Sequence, residues 1–197
     1  MVLLLTACGS TLTTLPYTEN FSDAGSGWKT VTGQAVQIFY KDNGLNFKIN
    51  ELDSIAWSTP QGKRFSDFVL DVDATQVAGP SDNSYGIIFR QIDDRNFYRI
   101  DISGDGYYDV LKYKGGKWIK LQDWSEASAI KKDQNTNHLQ VVAKGNQYGF
   151  RVNDQPVTTF EDNDFKDGNV GLTAGTLFDN AGVQVAFKNL RVSEVKP

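Results

Sequence analysis

Two acidic residues spaced two apart on a predicted strand are the first candidates for chemistry in this chain. Asp71 and Asp73 lie in the segment Leu70–Thr75, and residues two apart on a strand point to the same face. Two carboxyl groups about 5–5.5 Å apart can cleave a glycosidic bond with retention of configuration. No glutamate flanks the pair, however, and a solvated polar face on an outer strand is the favoured explanation. We therefore assign no catalytic residue.

The sequence carries no familiar nucleophile or zinc motif. Asp93-Asp94 and Asp162 with Asp164 fall in predicted turns, where aspartate is common for conformational reasons. No Gly-x-Ser-x-Gly segment is present to support a serine nucleophile. A single histidine, His138, and a single cysteine exclude Cys/His zinc sites and a disulfide within the chain. We expect no metal and no cofactor.

A set of charged and aromatic residues favours a binding face. A sugar site combines aromatic platforms for the apolar face of the ring with polar groups for its hydroxyls. The candidates are Arg90, Arg99, Asp101, Tyr113 and Trp118, with Trp57 and Trp124 as further platforms. Two simpler explanations stay open, namely that the charges form surface ion pairs of little energetic value and that the aromatic residues form an ordinary cross-strand pair.

The first residues resemble a bacterial lipobox, in which a small residue precedes a cysteine that is lipidated after cleavage. The apolar stretch ends in Leu5-Thr6-Ala7-Cys8. This predicts a truncated lipoprotein signal segment over residues 1–8, a lipid on Cys8 and a flexible tether over residues 9–18. The protein would then be a membrane-anchored lipoprotein of the cell envelope, facing outside the cytoplasm. The alternative is an incidental cysteine, because no basic residue precedes the apolar run and the run is shorter than about 7–15 residues.

The charge balance excludes one class of partner. The formal net charge is -4 and no run of Lys or Arg occurs, whereas affinity for nucleic acid depends on neutralising phosphates. We therefore expect no nucleic-acid partner.

The elements that must position these residues are strands. Aromatic residues make up 12% of the chain, and its 18 glycines suit many tight turns. From Asn20 onward, short apolar alternations are separated by Gly, Asn and Asp, which predicts one all-β domain over residues 19–197 and at most a short helical turn at Glu126–Ile130. The predicted strands are Val36–Tyr40, Leu45–Ile49, Ser54–Ser58, Phe68–Gln76, Tyr85–Ile92, Asn96–Ile102, Tyr107–Lys114, Lys117–Gln122, His138–Lys144, Gln147–Val152, Val157–Glu161, Val170–Thr176 and Val183–Val192.

Two glycine-containing turns fix the register of two hairpins, because two-residue turns need positive φ. The turns are Gly115-Gly116 and Gly145-Asn146. The first predicts the pairs Tyr113 with Trp118, Lys112 with Ile119 and Val110 with Leu121. The second predicts Ala143 with Tyr148, Val141 with Phe150 and Leu139 with Val152.

Polarity must decide the register of a third hairpin. Pairing Phe89 with Ile100 collects the apolar side chains on one side and sets Arg90, Arg99 and Asp101 together on the other. A slip of one residue would bury each unpaired charge at a cost of several kcal/mol. The result is an antiparallel meander with an apolar face and a polar, aromatic-bearing face, which implies two packed sheets.

Several segments, in this order and spacing, resemble the concanavalin A-like lectin/glucanase superfamily, including bacterial laminin G-like and 3-keto-disaccharide hydrolase-like domains. They are Asn20–Asp23 with Gly27-Trp28, Tyr85–Arg90 followed by Asn96–Ile100, Asn137–Leu139 leading to Val152–Asp154, Gly168–Leu172 and Val185–Leu190. The resemblance implies a jelly-roll β-sandwich of two antiparallel sheets, one of them concave. It also implies a possible calcium site, for which Asp23 and Asp179 are candidates by residue type alone.

The resemblance implies three readings of function, since fold alone does not choose among them. The first is a lipid-anchored module that binds carbohydrate or another extracellular polymer. The second is a glycoside hydrolase-like enzyme acting on a sugar derivative, and the third is an adhesion or scaffold domain with a protein partner.

Overall fold

The computed structural model describes residues 11–196, and all regular structure in this range is β-strand. The strands are β1 (Tyr17–Glu19), β2 (Val36–Lys41), β3 (Gly44–Ile49), β4 (Ile55–Ser58), β5 (Phe68–Ala78), β6 (Ser84–Asp93), β7 (Asn96–Ser103), β8 (Tyr107–Lys114), β9 (Lys117–Glu126), β10 (Asn137–Lys144), β11 (Gln147–Val152), β12 (Gln155–Glu161), β13 (Asn169–Gly175) and β14 (Val183–Ser193). Among these residues no helix is long and apolar enough to cross a membrane.

The strands form two antiparallel sheets. The eight-stranded sheet has the order β12-β11-β10-β5-β14-β3-β2, with β1 also paired to β14. The six-stranded sheet has the order β4-β13-β6-β7-β8-β9. Alternate side chains of both sheets enter one shared core, as the period of two requires. This confirms the predicted all-β sandwich of two antiparallel sheets.

The glycine-containing turns position their hairpins as predicted, with one exception. All three predicted pairs of β10 with β11 are present, as are Tyr113 with Trp118 and Lys112 with Ile119. The pairing of Val110 with Leu121 is wrong, because a register shift brings Gln122 opposite Val110. Leu121 is an additional residue on β9 at this point, because a β-bulge puts two residues of one strand opposite one residue of its partner.

The third hairpin has the predicted faces but a different register. Phe89 pairs with Tyr98, and Ile87 pairs with Ile100, so the predicted pairing of Phe89 with Ile100 is wrong by two residues. A shift of two keeps the side chains of the regularly paired residues on their predicted faces. The pairing is interrupted between Phe89 and Asp93, and this irregularity changes the position of Arg90.

Two local predictions near the chain's loops also need correction. Residues 126–130 form no helix, since Glu126 ends β9 and a single turn is closed by the Ile130 amide donating to the Ala127 carbonyl at 3.0 Å. The described part of the predicted tether is structured: the Thr13 amide donates to the Arg64 carbonyl at 2.7 Å. Tyr17–Glu19 then pairs with β14. Cys8 and the rest of the predicted signal segment lie outside the described residues.

Candidate functional site

The outer face of the six-stranded sheet, which points away from the core, carries most of the predicted site residues. Along β7, Tyr98, Ile100 and Ile102 enter the core, so Arg99 and Asp101 point outward with Phe97. The register continues this face across the sheet. One row of cross-strand partners is Trp57, Thr173, Gly86, Asp101 and Asp109, running from β4 to β8.

Four aromatic rings form a continuous group on this face, which we call the aromatic row: Trp57, Phe97, Tyr113 and Trp118. The ring centroids of Trp57 and Phe97 are 5.6 Å apart, and those of Phe97 and Tyr113 are 5.3 Å apart. Tyr113 and Trp118 approach to 4.4 Å. Phe97 is buried, whereas Trp118 is 42% exposed. The row therefore has a buried centre and an end that is open to solvent at the edge strand β9.

Three charged residues, Arg99, Asp101 and Asp109, lie beside the aromatic row and form what we call the charged cluster. Arg99 Nη2 lies 2.6 Å from a carboxylate oxygen of Asp101 and also donates to the Ser84 hydroxyl at 3.0 Å. The Arg99 guanidinium carbon lies 5.8 Å from the centre of the Trp118 ring, within the range of a cation–π contact. All three charged residues are less than 5% exposed, so the ion pair is buried, contrary to the surface pair considered from the sequence.

Asp109 sits opposite Asp101 across β7 and β8. Burial raises the pKa of Asp109 to about 8, helped by the nearby Asp101 charge and opposed by Arg99. The pKa of Asp101 is also raised overall, because its burial outweighs the charge and the hydrogen bond of Arg99, which both lower it. Burial thus favours the neutral form of Asp109, whereas the contact with Arg99 stabilises the charged form of Asp101.

Small residues on β6 and β13 make room for the charged cluster. A Cβ on Gly86 would lie 2.0 Å from the Ile100 carbonyl oxygen and 2.9 Å from Asp101 Oδ1. A Cβ on Gly175 would lie 3.2 Å from Arg99 Nη2 and 2.9 Å from the Ser84 hydroxyl. Any larger residue at Gly86 would displace the backbone of β7 or the carboxylate.

Arg90 does not belong to this face, which corrects its predicted position. It has φ 53° within the irregular stretch of β6 and is completely buried. Its guanidinium carbon lies 5.7 Å from the Phe68 ring and 5.9 Å from the Tyr148 ring, both in the opposite sheet. The guanidinium also donates to the carbonyl oxygens of Lys166 and Gly145 and contacts Asp67 at 3.3 Å. Arg90 therefore joins the two sheets.

The remaining predicted residues divide between the face and its margin. Arg99, Asp101, Tyr113, Trp118 and Trp57 come together as described. Trp124 lies on β9 beyond its first register shift and is 37% exposed, and within the described part of the chain no ring contact joins it to the aromatic row. Asp109 and Phe97 were missed, although their alternation with core residues on β7 and β8 places them on the same face.

A second polar cluster lies on the outer face of the eight-stranded sheet and includes the Asp71–Asp73 pair. His138 Nδ1 is 2.8 Å from an Asp73 carboxylate oxygen, and His138 Nε2 is 3.3 Å from an Asp71 oxygen. Burial lowers the pKa of His138, but the hydrogen bond to Asp73 and the two carboxylate charges outweigh it, so the pKa is raised overall. Gln140 donates to Asp71 at 2.7 Å, and Asn189 donates to Asp73 at 2.8 Å.

The predicted acid candidates in loops have structural contacts of their own. Asp162 and Asp164 both contact Lys112, and Asp23 accepts a hydrogen bond from the Gly25 amide at 2.7 Å. Within residues 11–196, no three His, Cys, Asp or Glu side chains are grouped so that they could hold a metal ion.

The sequence model of one protein family, the 3-keto-alpha-glucoside-1,2-lyase-like domain, matches residues 18–193. The chain belongs to this family. No curated protein matches the sequence.

Solved structures similar to this 3-keto-alpha-glucoside-1,2-lyase-like domain share its fold. The carbohydrate binding module CBM66 from Bacillus subtilis is 21% identical with a TM-score of 0.67, covering 84% of this chain and 94% of that one. A native glycosidic hydrolase is 12% identical with a TM-score of 0.71, covering 94% and 99%. The Bacillus licheniformis beta-glucanase is 9% identical with a TM-score of 0.65, covering 91% and 98%. At these identities the similarity establishes the jelly-roll fold alone.

Proposed function

We propose that this domain binds carbohydrate on the outer face of the six-stranded sheet. One observation carries the proposal: the aromatic row and the charged cluster lie together on one face, and the row is open to solvent at Trp118. Exposed aromatic rings beside polar groups are what a sugar site requires, since the rings stack on the apolar face of the sugar. The family and the fold of similar proteins, one of them named a carbohydrate binding module, support the same function.

The parts of the face have different roles in this proposal. Trp118 and Tyr113 form the platform, because both are partly exposed and they stand as a cross-strand pair at the open end of the row. Arg99 holds its guanidinium beneath Trp118 and is fixed by Asp101 and Ser84. Trp57 lies at the β4 end of the aromatic row, and Trp124 lies on β9 at the margin of the face. An enzyme acting on a sugar derivative is the second candidate, favoured by the Asp101–Asp109 pair.

Retention of the protein on polysaccharides tests the proposal. We expect wild-type protein to be retarded in native gels cast with a subset of soluble glucans, fructans or galactans. Trp118→Ala should reduce the association constant by about tenfold or more, because stacking of a ring on an aromatic side chain contributes about 1–3 kcal/mol, as measured for nucleic-acid bases. Tyr113→Ala should act in the same direction.

Phe178→Ala is the matched control, since Phe178 is a 78% exposed aromatic residue in the loop after β13 and makes no ring contact within the described residues. Its retention should equal that of wild type. Unchanged retention of Trp118→Ala and Tyr113→Ala on a polysaccharide that holds the wild type would show that the site is elsewhere.

We also propose that the domain is tethered to a membrane through a lipid on Cys8, facing outside the cytoplasm. The support is the sequence Leu5-Thr6-Ala7-Cys8 with the chain's single cysteine at the lipobox position. Expression in a bacterium with a complete signal peptide in front of residue 8 tests this. Wild type should partition with membranes and gain the mass of a diacylglyceryl group, whereas Cys8→Ser should be soluble and unmodified. A wild-type protein without this mass would refute the anchor.

A further inference from the structure

The outer face of the eight-stranded sheet carries a glycine that no contact inside the protein requires. Gly149 lies in the middle of β11, where a glycine weakens the strand. Every other glycine of residues 11–196 either has a φ in the left-handed region or would bring a Cβ within 3.1 Å of another atom. A Cβ on Gly149 would meet only the Val142 Cβ, at 3.9 Å. A glycine inside a strand marks a place where a ligand approaches the backbone closely.

Gly149 belongs to a row of side chains that crosses five strands, which we call the floor row. Its cross-strand partners are Thr159 on β12 and Val142 on β10. The row continues from Val142 to Val69 on β5 and then to Ser193 on β14. Alternate side chains of these strands enter the core or pack against it, so the floor row points outward. Five strands spaced by about 4.8 Å give the row a length of about 19 Å.

Two open cavities lie along the floor row. A cavity of about 480 Å³ covers Gly149 and Thr159, and a cavity of about 660 Å³ covers Val69 and Ser193. Both volumes fall in the range of about 300–1,000 Å³ that ligand sites occupy. Val142 lines the first cavity and is the cross-strand partner of Val69 in the second. The two cavities are therefore parts of one groove.

The groove has no net charge at either end. The first cavity is lined by one base and one acid, Lys144 and Glu161. The second is lined by two acids and two bases, namely Asp71, Glu194, Arg191 and Lys196. A strongly charged polymer is attracted by a surface of the opposite sign. The balance of charge in the groove therefore favours a neutral ligand.

Hydrogen-bonding groups for a neutral ligand stand on the walls of the groove. Gln147 and Gln140 bring side-chain amides to the first and second cavity. Arg191 is the cross-strand partner of Asp71, but Asp71 accepts a hydrogen bond from Gln140 and contacts His138. Within residues 11–196 the Arg191 guanidinium makes no ion pair. Amide and guanidinium groups can bond the hydroxyl groups of a sugar, and the apolar floor suits the C–H face of its ring.

An extended peptide fits the groove less well than a glycan. Such a peptide adds a strand at a free sheet edge, where unpaired backbone groups receive it. The strands β11, β10, β5 and β14 are each paired on both sides. Most of the groove therefore offers hydrogen bonds from side chains alone, which is how sugar hydroxyl groups are recognised.

We propose that this groove binds a neutral polysaccharide chain, as a second site on the sheet opposite to the aromatic row. The sugar rings lie on Gly149, Val142 and Val69, and their hydroxyl groups bond to the walls. The proposal goes beyond the proposed function, because the groove needs neither Trp118 nor the charged cluster. The groove is the weaker of the two sites, since it has no aromatic platform.

Amide resonances of the full chain test the groove directly. The Trp118→Ala variant, which lacks the platform of the aromatic row, is titrated with neutral glucan, fructan, galactan and mannan oligosaccharides, and with an oligogalacturonate as the acidic probe. At least one neutral probe should shift the amide signals of Gly149, Val142 and Val69 to saturation. Adding Gly149→Val fills the groove and should raise the dissociation constant of that probe by about tenfold or more.

Ala186→Val is the matched control. Ala186 lies between core residues on β14, so it points outward on the same sheet, and it lines neither cavity of the groove. The control should change the dissociation constant by less than about twofold. Valine favours strands, and a Cβ has room at Gly149. Gly149→Val should therefore unfold at or above the temperature at which wild type unfolds.

The proposal is overturned if no neutral probe shifts the groove amides, if only the acidic probe does, or if Gly149→Val and Ala186→Val bind alike. Shifts caused by a neutral ten-residue peptide of Gly, Ser and Asn, in place of sugars, would assign the groove to a protein partner and overturn it as well. Failure of the proposed function looks different. Full retention of Trp118→Ala on polysaccharide, with loss of retention in Gly149→Val, would remove the aromatic row and leave the groove as the site.

Discussion

At the scale of single residues, the charged cluster shows how neighbouring carboxyl groups acquire different protonation states. Asp101 and Asp109 have similar burial and face each other across two strands. Only Asp101 has a guanidinium at 2.6 Å. Because a buried charge without a partner is expensive, the proton is retained on the group that lacks the arginine. The contact between Arg99 and Asp101 thus stabilises the charged form of one carboxyl group, and Asp109 has no such contact.

This difference predicts opposite effects of two similar substitutions on stability. Asp101→Asn leaves Arg99 buried without its counter-charge and should lower the free energy of unfolding by about 3–5 kcal/mol. Asp109→Asn replaces a neutral acid with a neutral amide and should cost little at low pH. Urea denaturation of the two variants and wild type at one pH near neutrality measures the contrast. Equal losses in both variants would contradict the assigned protonation states.

Asp109 also predicts a pH dependence of stability. Its pKa is about 8 in the folded protein against 3.8 unperturbed, so the folded state binds more protons than the unfolded state between these values. Stability therefore falls with rising pH across this interval, by at most about 1.4 kcal/mol per pH unit from this group. Asp109→Asn should remove this fall, so its stability relative to wild type should increase from pH about 4 to pH about 8 and stay constant above that. The exposed turn variant Asp94→Asn should keep the wild-type profile.

The side-chain faces could be predicted from sequence, but several partners could not. Alternation placed Arg99, Asp101, Tyr113 and Trp118 on the outer face, because residues two apart must share a face in any regular strand. Burial of the Arg99–Asp101 pair follows instead from Ser84, Phe97 and the glycines of other strands, which no local pattern links to it. The predicted position of Arg90 was wrong for a related reason: its own positive φ turns its side chain to the core side of the sheet.

At the scale of elements, the bulged end of β6 connects the two sheets through Arg90. The guanidinium is completely buried, and its two terminal nitrogens donate to carbonyl oxygens after β10 and after β12, while its Nε has no partner. Its planar fork can reach several acceptors while it stacks beside Phe68 and Tyr148. The irregular strand therefore serves the packing of the sandwich.

Arg90→Ala should lower the free energy of unfolding by about 3 kcal/mol or more, because it removes the donor of two carbonyl groups and opens a cavity between the sheets. Arg90→Lys should recover little, since an ammonium lacks the planar fork. Chemical denaturation gives the loss. At a temperature where both variants remain folded, polysaccharide retention should equal that of wild type. A selective loss of retention would return Arg90 to the binding site.

Register was predictable where a turn fixes it and failed where a bulge intervenes. Gly115-Gly116 and Gly145-Asn146 set their hairpins because the residues that adopt positive φ are visible in the sequence. Between β6 and β7 the polarity pattern repeats every two residues, so it could not distinguish Tyr98 from Ile100 as the partner of Phe89. The bulge opposite Val110 leaves no sequence signal of its own.

At the scale of the whole molecule, the sandwich presents two dissimilar outer faces. The six-stranded sheet carries the aromatic row and the charged cluster, and the eight-stranded sheet carries the polar cluster around His138. The chain enters along the eight-stranded sheet, where β1 pairs with β14 at Tyr17–Val192. A tether that precedes β1 therefore joins the sheet opposite the proposed binding face.

Contacts made by Thr13 and Tyr17 indicate that the residues before β1 pack on the domain. Thr13 exchanges two hydrogen bonds with Arg64, at 2.7 and 2.9 Å. The Tyr17 ring contacts Phe65, and its hydroxyl accepts a hydrogen bond from Trp28 Nε1 at 3.1 Å. Removal of residues 1–12 should leave the melting temperature almost unchanged. Removal of residues 1–19 deletes β1 and exposes Phe65, and should cost about 2–4 kcal/mol through lost ladder hydrogen bonds and apolar burial. Equal melting temperatures for the two truncations would show that the domain begins after β1.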